Sequence, residues 1–248
     1  MDIMQAIDER ISCRAYDERE VEAEKLGQLA ACIEEGNAAG GLRMVLVRPE
    51  DGGSKLRLAK AMFAGRPSTY VALISGTSEE ERDRLGYYGE KVALLAQQLG
   101  LATCWVAGTY DRGTVEVPLN PGEELFSVMP VGYAAPKMPL KQRTVRAALR
   151  RRDKKPTTVY AGYDGAPDWT RAGIDAVIKG PSAVNGQPWV FVDSIRGISA
   201  TLPDNKRGVE LIDLGIAKLH FQLGAASKGV EGSWTWGEGG AFSIASAK

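Results

Sequence analysis

Two distant stretches of this chain gather side chains suited to gripping a phosphorylated, hydrogen-bond-rich ligand. The first is Arg10-Ile11-Ser12-Cys13-Arg14-Ala15-Tyr16. In an extended conformation Arg10, Ser12 and Arg14 point one way and Ile11 and Cys13 the other. Two guanidinium forks flanking a hydroxyl suit a phosphate, which arginine can grip bidentately. The competing reading is a solvated charge pair, the usual fate of surface arginine. The second stretch is Gly180-Pro181-Ser182-Ala183-Val184-Asn185-Gly186-Gln187-Pro188-Trp189, which runs into the apolar Val190-Phe191-Val192. Ser182, Asn185 and Gln187 crowd donors and acceptors into one strand entry, as a planar polar ligand requires. An ordinary polar loop before a strand is the alternative.

Other chemistry is poorly supported. His220 is the only histidine, and it falls on an apolar helical face with Ile216 and Leu219, where a satisfied core or interface histidine is the commoner outcome. Without it no Ser/His/Asp or Cys/His set can be assembled. Cys13, Cys32 and Cys104 are scattered without CxxC spacing, which suits a reducing cytoplasm and gives no metal site. No Gly-x-Gly-x-x-Gly follows a strand, so a Rossmann nicotinamide site is not indicated. The basic run from Arg150 to Pro156 reads as a solvated linker rather than an anion patch.

The elements that must position these residues are mixed. Helical spacing appears at Ile3, Ala6 and Ile7, at Leu26, Leu29, Ala30 and Ile33, and at Tyr88, Val92, Leu95 and Leu99. Helices are also expected over 169–179 and 209–228. Strands are expected over 44–47, 70–74, 103–107, 126–133, 189–193 and 242–245. The 248 residues allow one large domain or two lobes, and the formal net charge of zero argues against an electrostatic nucleic-acid binder. No apolar run approaches a membrane span and no signal-peptide core is present, so a cytoplasmic protein with no membrane partner is expected.

Four motifs together resemble the FMN-dependent nitroreductase family, and in particular its two-lobed "TM nitroreductase" branch. Arg10-x-Ser12-x-Arg14-x-Tyr16 is similar to the family's phosphate clasp, and Pro181-Ser182-x-x-Asn185-x-Gln187-Pro188-Trp189 to its flavin loop. Leu99-Gly100-Leu101-Ala102-Thr103-Cys104-Trp105 looks like the turn beside the flavin. Pro130-Val131-Gly132-Tyr133 with Lys141 and Arg143 looks like a second basic grip. The resemblance implies an α+β fold and an FMN cofactor. Its cofactor-binding set is Arg10, Ser12, Arg14, Ala102, Thr103, Lys141, Arg143, Pro181, Ser182, Asn185 and Gln187. NADH or NADPH would be the donor and a small-molecule electrophile the acceptor; no side-chain acid or base is obligatory, because the flavin carries the chemistry.

The motif order departs from the ordinary family pattern, in which the loop follows the clasp closely. Laying Val45-Leu46-Val47 on Val190-Phe191-Val192 superposes Gly41 on Gly186, and laying Leu99–Trp105 on Lys228–Trp234 matches glycine and tryptophan. Self-similarity at this scale reads as a duplicated unit, with a first lobe at 1–150 and a shorter second lobe at 151–248. Family members are usually homodimers, so the resemblance implies an internal pseudo-dimer that acts as a monomer. The first lobe keeps the clasp and the second keeps the loop, which implies one FMN per chain. A non-catalytic flavin-binding protein is the other reading.

Overall fold

A computed structural model describes residues 1–51, 55–136, 153–195, 197–203 and 208–245. The fold is α+β, with two similarly arranged sheet-and-helix lobes. Six helices are described: α1 (Ile3–Glu9), α2 (Ala23–Gly40), α3 (Glu79–Gln98), α4 (Pro156–Val159), α5 (Asp168–Val177) and α6 (Glu210–Ala226). The strands are β1 (Val45–Val47), β2 (Thr69–Ser75), β3 (Ala102–Thr103), β4 (Glu124–Gly132), β5 (Val190–Ser194), β6 (Gly197–Thr201), β7 (Gly232–Trp234) and β8 (Ala241–Ile244).

The two lobes repeat one topology. Helix, two strands, helix and two strands follow in the order α2-β1-β2-α3-β3-β4, and again as α5-β5-β6-α6-β7-β8. Each forms a four-stranded sheet, with strand orders β1-β2-β4-β3 and β5-β6-β8-β7, every pair antiparallel. The strands aligned from sequence, β1 with β5 and β3 with β7, therefore hold the same edge positions. Gly100 and Gly229 also match in conformation, at φ 74° and 77°. Both close a helix alike: Leu101 N–H donates to the Ala96 carbonyl at 2.8 Å, and Val230 N–H to the Ala225 carbonyl at 3.2 Å. Gly41 and Gly186 do not match. Gly41 caps α2 in the left-handed region at φ 62°, whereas Gly186 is right-handed at φ −74°, because an added polar loop intervenes between α5 and β5.

Spatially the chain forms two compact units that do not follow chain order. The first unit comprises Glu9–Thr77 and Lys91–Arg150; the second comprises Met1–Asp8, Ser78–Glu90 and Arg151–Lys248. In the first unit every β2 residue is buried, which is why Tyr70-Val71-Ala72-Leu73-Ile74 carries no alternation. The second unit packs Phe191, Phe221, Trp234 and Phe242, with Phe191 and Phe221 stacked at 5.3 Å. Within it α6 meets the start of α3 through reciprocal glycines. A Cβ on Gly215 would lie 1.8 Å from the Asp83 carbonyl oxygen, and one on Gly86 2.0 Å from that of Ile212. Only glycine permits this approach. Helix α3 begins with a capping box in which Ser78 Oγ accepts from Glu81 N–H at 3.2 Å and Glu81 accepts from Ser78 N–H at 3.1 Å.

Candidate functional site

In the first unit the clasp segment is tied by its backbone to the glycine turn. Cys13 N–H donates to the Thr103 carbonyl at 2.8 Å. Further along, Asp17 N–H donates to the Tyr133 carbonyl at 2.8 Å and Ala135 N–H to the Ala15 carbonyl at 2.9 Å. Gly132 and Val131 pair in turn with Ala102 and Thr103 across β3 and β4. The Arg-Ser-Arg segment, the Leu99–Trp105 turn and the Pro130–Tyr133 strand are thus neighbours. Tyr16 anchors them: it is 3% exposed, and its hydroxyl donates to the Pro130 carbonyl at 3.3 Å.

Burial pushes the Cys104 thiol up to about 11; the charges of Arg14 and Arg10 and a hydrogen bond with Ser12 pull it down, and Cys13 pushes it up. Arg10 is 9% exposed and Cys13 is 4% exposed. Arg14 is half-buried, its guanidinium 5.4 Å from the centre of the Phe63 ring. Arg14 makes no ion pair among the described residues. Two guanidiniums and a hydroxyl on one five-residue segment form a donor set that fits a phosphate. Thr103 is buried and Ala102 half-buried at the same edge. Lys141, Arg143 and residues 150–152 of the basic run lie outside the described residues.

Tyr133 organises the exposed rim. Its hydroxyl donates to the Glu22 carboxylate and accepts from Lys25 Nζ at 2.8 Å, while Arg19 stacks over the ring. The Tyr133 bond lowers the pKa of Glu22 and raises that of Lys25.

In the second unit the loop from Gly180 to Gln187 is a tense, internally braced turn. Val184, Asn185 and Gln187 all adopt positive φ, at 48°, 50° and 43°, a conformation that a β-branched residue adopts only under constraint. The braces are several. Gln187 is 1% exposed; its Oε1 accepts from Lys154 N–H at 2.7 Å and its Nε2 donates to the Ile178 carbonyl at 2.7 Å. Ser182 Oγ accepts from Gln187 N–H at 2.9 Å. Asn185 Nδ2 donates to Asp153 at 3.1 Å. Both Asp213 oxygens accept from Ala183 N–H at 3.2 Å. Gln187 therefore turns inward, whereas Pro181, Ser182 and Asn185 are half-buried. Asp153 and Lys154 belong to this loop's support as well as to the connection between lobes.

The structure puts His220 in the core. It is fully buried, with Nδ1 3.0 Å from the Ala176 carbonyl and Nε2 3.2 Å from Glu90. Lys218, two residues earlier on α6, is also fully buried; it pairs with Asp83 and donates to the Gly237 carbonyl at 2.8 Å. Sequence reasoning missed Asp213, Lys218 and Asp83. A Lys and an Asp at apolar positions of a helix carry a signal only once burial is known.

The family model described as "Putative TM nitroreductase" matches residues 2–225. The chain belongs to this nitroreductase family. A crystal structure described as a "putative nitroreductase" from Thermotoga maritima is similar across 98% of this chain and 93% of its own, at 19% identity and a TM-score of 0.64. That likeness bears on the fold. An FMN-dependent nitroreductase from Clostridium difficile aligns over 54% of this chain and 89% of its own, at 16% identity and a TM-score of 0.42. One from Parabacteroides distasonis, described as a "Putative NADH dehydrogenase/NAD(P)H nitroreductase", aligns over 55% and 89%, at 21% and 0.42. No curated protein matches the sequence. No helix among the described residues of the nitroreductase is long and apolar enough to cross a membrane.

Proposed function

We propose that this nitroreductase holds one FMN per chain and transfers reducing equivalents from NADH or NADPH to a small electrophile such as a nitroaromatic or a quinone. The observation that carries the reading is the Cys13–Thr103 backbone bond of 2.8 Å, which sets the clasp beside the glycine turn. Family membership supplies the cofactor class. FMN, when bound, would supply a ring that accepts hydride from a nicotinamide and returns electrons to an acceptor.

The chain's residues bind and orient. Arg10 and Arg14 offset the phosphate charge, and Ser12 adds a neutral hydrogen bond. Ser182 and Asn185 offer hydrogen bonds to the ribityl chain and ring edge, and Pro181 starts their loop. Gln187 acts from behind, holding that loop in shape. Backbone groups at Ala102 and Thr103 border the ring, where an N–H favours the reduced state. Lys141 and Arg143 complete the grip on the phosphate. No side-chain acid or base is required, and the soluble reaction partners are small molecules rather than nucleic acid.

The test is the visible spectrum of protein saturated with FMN and desalted, followed by addition of NADH or NADPH. One retained equivalent that either nucleotide bleaches supports the reading. Two equivalents would remove the single-site proposal. A retained flavin that neither nucleotide reduces would make this a flavin-binding protein without turnover, and no retained flavin would overturn both. Arg14→Ala should weaken FMN binding about ten- to a hundredfold, the loss of one charge-assisted contact, with an unchanged far-UV spectrum.

A further inference from the structure

The turn that carries Ser182 and Asn185 is not capped by its own serine. Ser182 stands ahead of the turn Ala183–Asn185 but makes no side-chain capping bond, although a serine in that place ordinarily accepts from one of the turn's N–H groups. Its oxygen accepts instead from Gln187 N–H at 2.9 Å. Ala183 N–H, the first of the turn, is held from outside the loop. Asp213 in the first turns of α6 receives it, with both carboxylate oxygens at 3.2 Å.

That carboxylate is expensive to keep. Asp213 is 5% exposed and forms no ion pair among the described residues. The charged group that acts on it is Glu210, of like sign. A carboxylate buried against one donor destabilises a fold, and an apolar residue at this place on α6 would suit the core better. What the charge supplies is a hydrogen bond roughly twice as strong as a neutral one. The bond falls where the backbone needs a hold: the next two residues, Val184 and Asn185, sit at φ 48° and 50°. A β-branched residue stays in that region only where its surroundings over-determine it.

We propose that Asp213 is a positioning residue for the flavin site, its ionised carboxylate fixing Ala183 so that Ser182 and Asn185 are set for the ligand. This rests on the FMN reading above. Because α6 holds the turn, Ser182 is released from capping. Gln187 engages its oxygen, and its hydroxyl proton makes no hydrogen bond among the described residues. Ser182 therefore meets the ligand as a donor, suited to a ring carbonyl or a ribityl oxygen. Asp213 acts through Ala183 and not by contact with the ligand.

The test sets FMN affinity against stability at pH 8, above the value of about 7 to which burial pushes Asp213. In Asp213→Asn one oxygen of the pair becomes an amide nitrogen, which cannot accept, and the charge is lost. FMN should bind about tenfold more weakly, the difference between a charge-assisted and a neutral bond, while the flavin-free variant melts higher. Asp213→Ala, with no acceptor, should bind FMN more weakly still. Amide exchange followed by NMR in the flavin-free chain reports the bond directly, and Ala183 should exchange faster in both variants. Unchanged exchange at Ala183, or unchanged FMN affinity in Asp213→Asn, would overturn the proposal. Affinity and melting temperature falling together in Asp213→Asn would also overturn it, since that marks a purely structural role. An unaltered chain that retains no FMN would remove the cofactor reading instead, and the Ala183 exchange would still decide whether Asp213 holds the loop.

Discussion

At Asp213 the fold uses a carboxylate where its charge is costly. The side chain is 5% exposed, and burial pushes its pKa up to about 7 although Ala183 N–H favours the ionised form. An unfolded aspartate titrates near 4, so the folded state binds the proton more readily. The favourable contribution of this site is fully present below about pH 4 and is lost as pH rises towards about 7. Asp213→Asn keeps an acceptor oxygen for Ala183 and abolishes the titration. Its melting temperature should exceed that of the unaltered protein at pH 8 and change less between pH 4 and 8. A variant that melts lower at pH 8 would show that the charge itself is needed. Asp83 and Lys218 answer differently because each compensates the other: burial raises Asp83 to about 6 and lowers Lys218. Lys218→Met strands a buried carboxyl group and should cost about 3–5 kcal/mol in denaturant unfolding. Adding Asp83→Leu should recover much of that loss, and a double variant no better than the single would contradict the pairing.

At the scale of elements, the duplication is clearest in how helices end. Gly100 and Gly229 share a positive φ, and a Cβ at either would meet nothing within 4 Å. Substitution there isolates the backbone term. Gly100→Ala and Gly229→Ala should each lower stability by about 1 kcal/mol, nearly equally, as judged by thermal melts. Unequal losses would mean that the two ends differ in ways their geometry does not reveal. These ends were legible in sequence because Gly-then-apolar after a helical run is a local signal. So were α2, α3, α5 and α6, from spacing, and β2 and β4, from apolar runs. The β6 strand escaped notice because Gly197, Ser199 and Ala200 leave Ile198 as its one large apolar residue, too little for a run or an alternation. The strand expected over 103–107 ends at Thr103, after which Val106 makes only an isolated bridge to Val128. The clasp residues were legible by type and alternation, but the seating of Cys13 on the Thr103 carbonyl was not. The inward turn of Gln187 depends on Lys154 and Ile178, partners that no local pattern names.

At the scale of the molecule, the repeated lobes and the compact units divide the chain differently. The lobes run consecutively, whereas the second unit draws on Met1–Asp8, Ser78–Glu90 and Arg151–Lys248. Asp83 needs Lys218, and Glu90 meets His220. A fragment ending at residue 150 therefore leaves a carboxylate on α3 without its cation and Gly86 without the helix it was kept small to admit. Such a fragment should leave the Ser78–Glu90 turns of α3 exchanging amide hydrogens freely, and supplying residues 151–248 in trans should protect them. Equal protection there in the fragment alone would contradict this dependence.

The same division bears on how the protein is made. On a ribosome, both segments of the first unit, through Arg150, emerge before the rest of Arg151–Lys248. The clasp, the glycine turn and their sheet can close while the chain is still growing. The opening turns of α3 cannot, because α6 has not yet been synthesised. During that interval Leu85, fully buried in the finished protein, has no second-unit core to enter. The nascent chain carries a half-committed helix whose Leu85 and Tyr87 stay without cover, and the last lobe to be translated is the one that buries them.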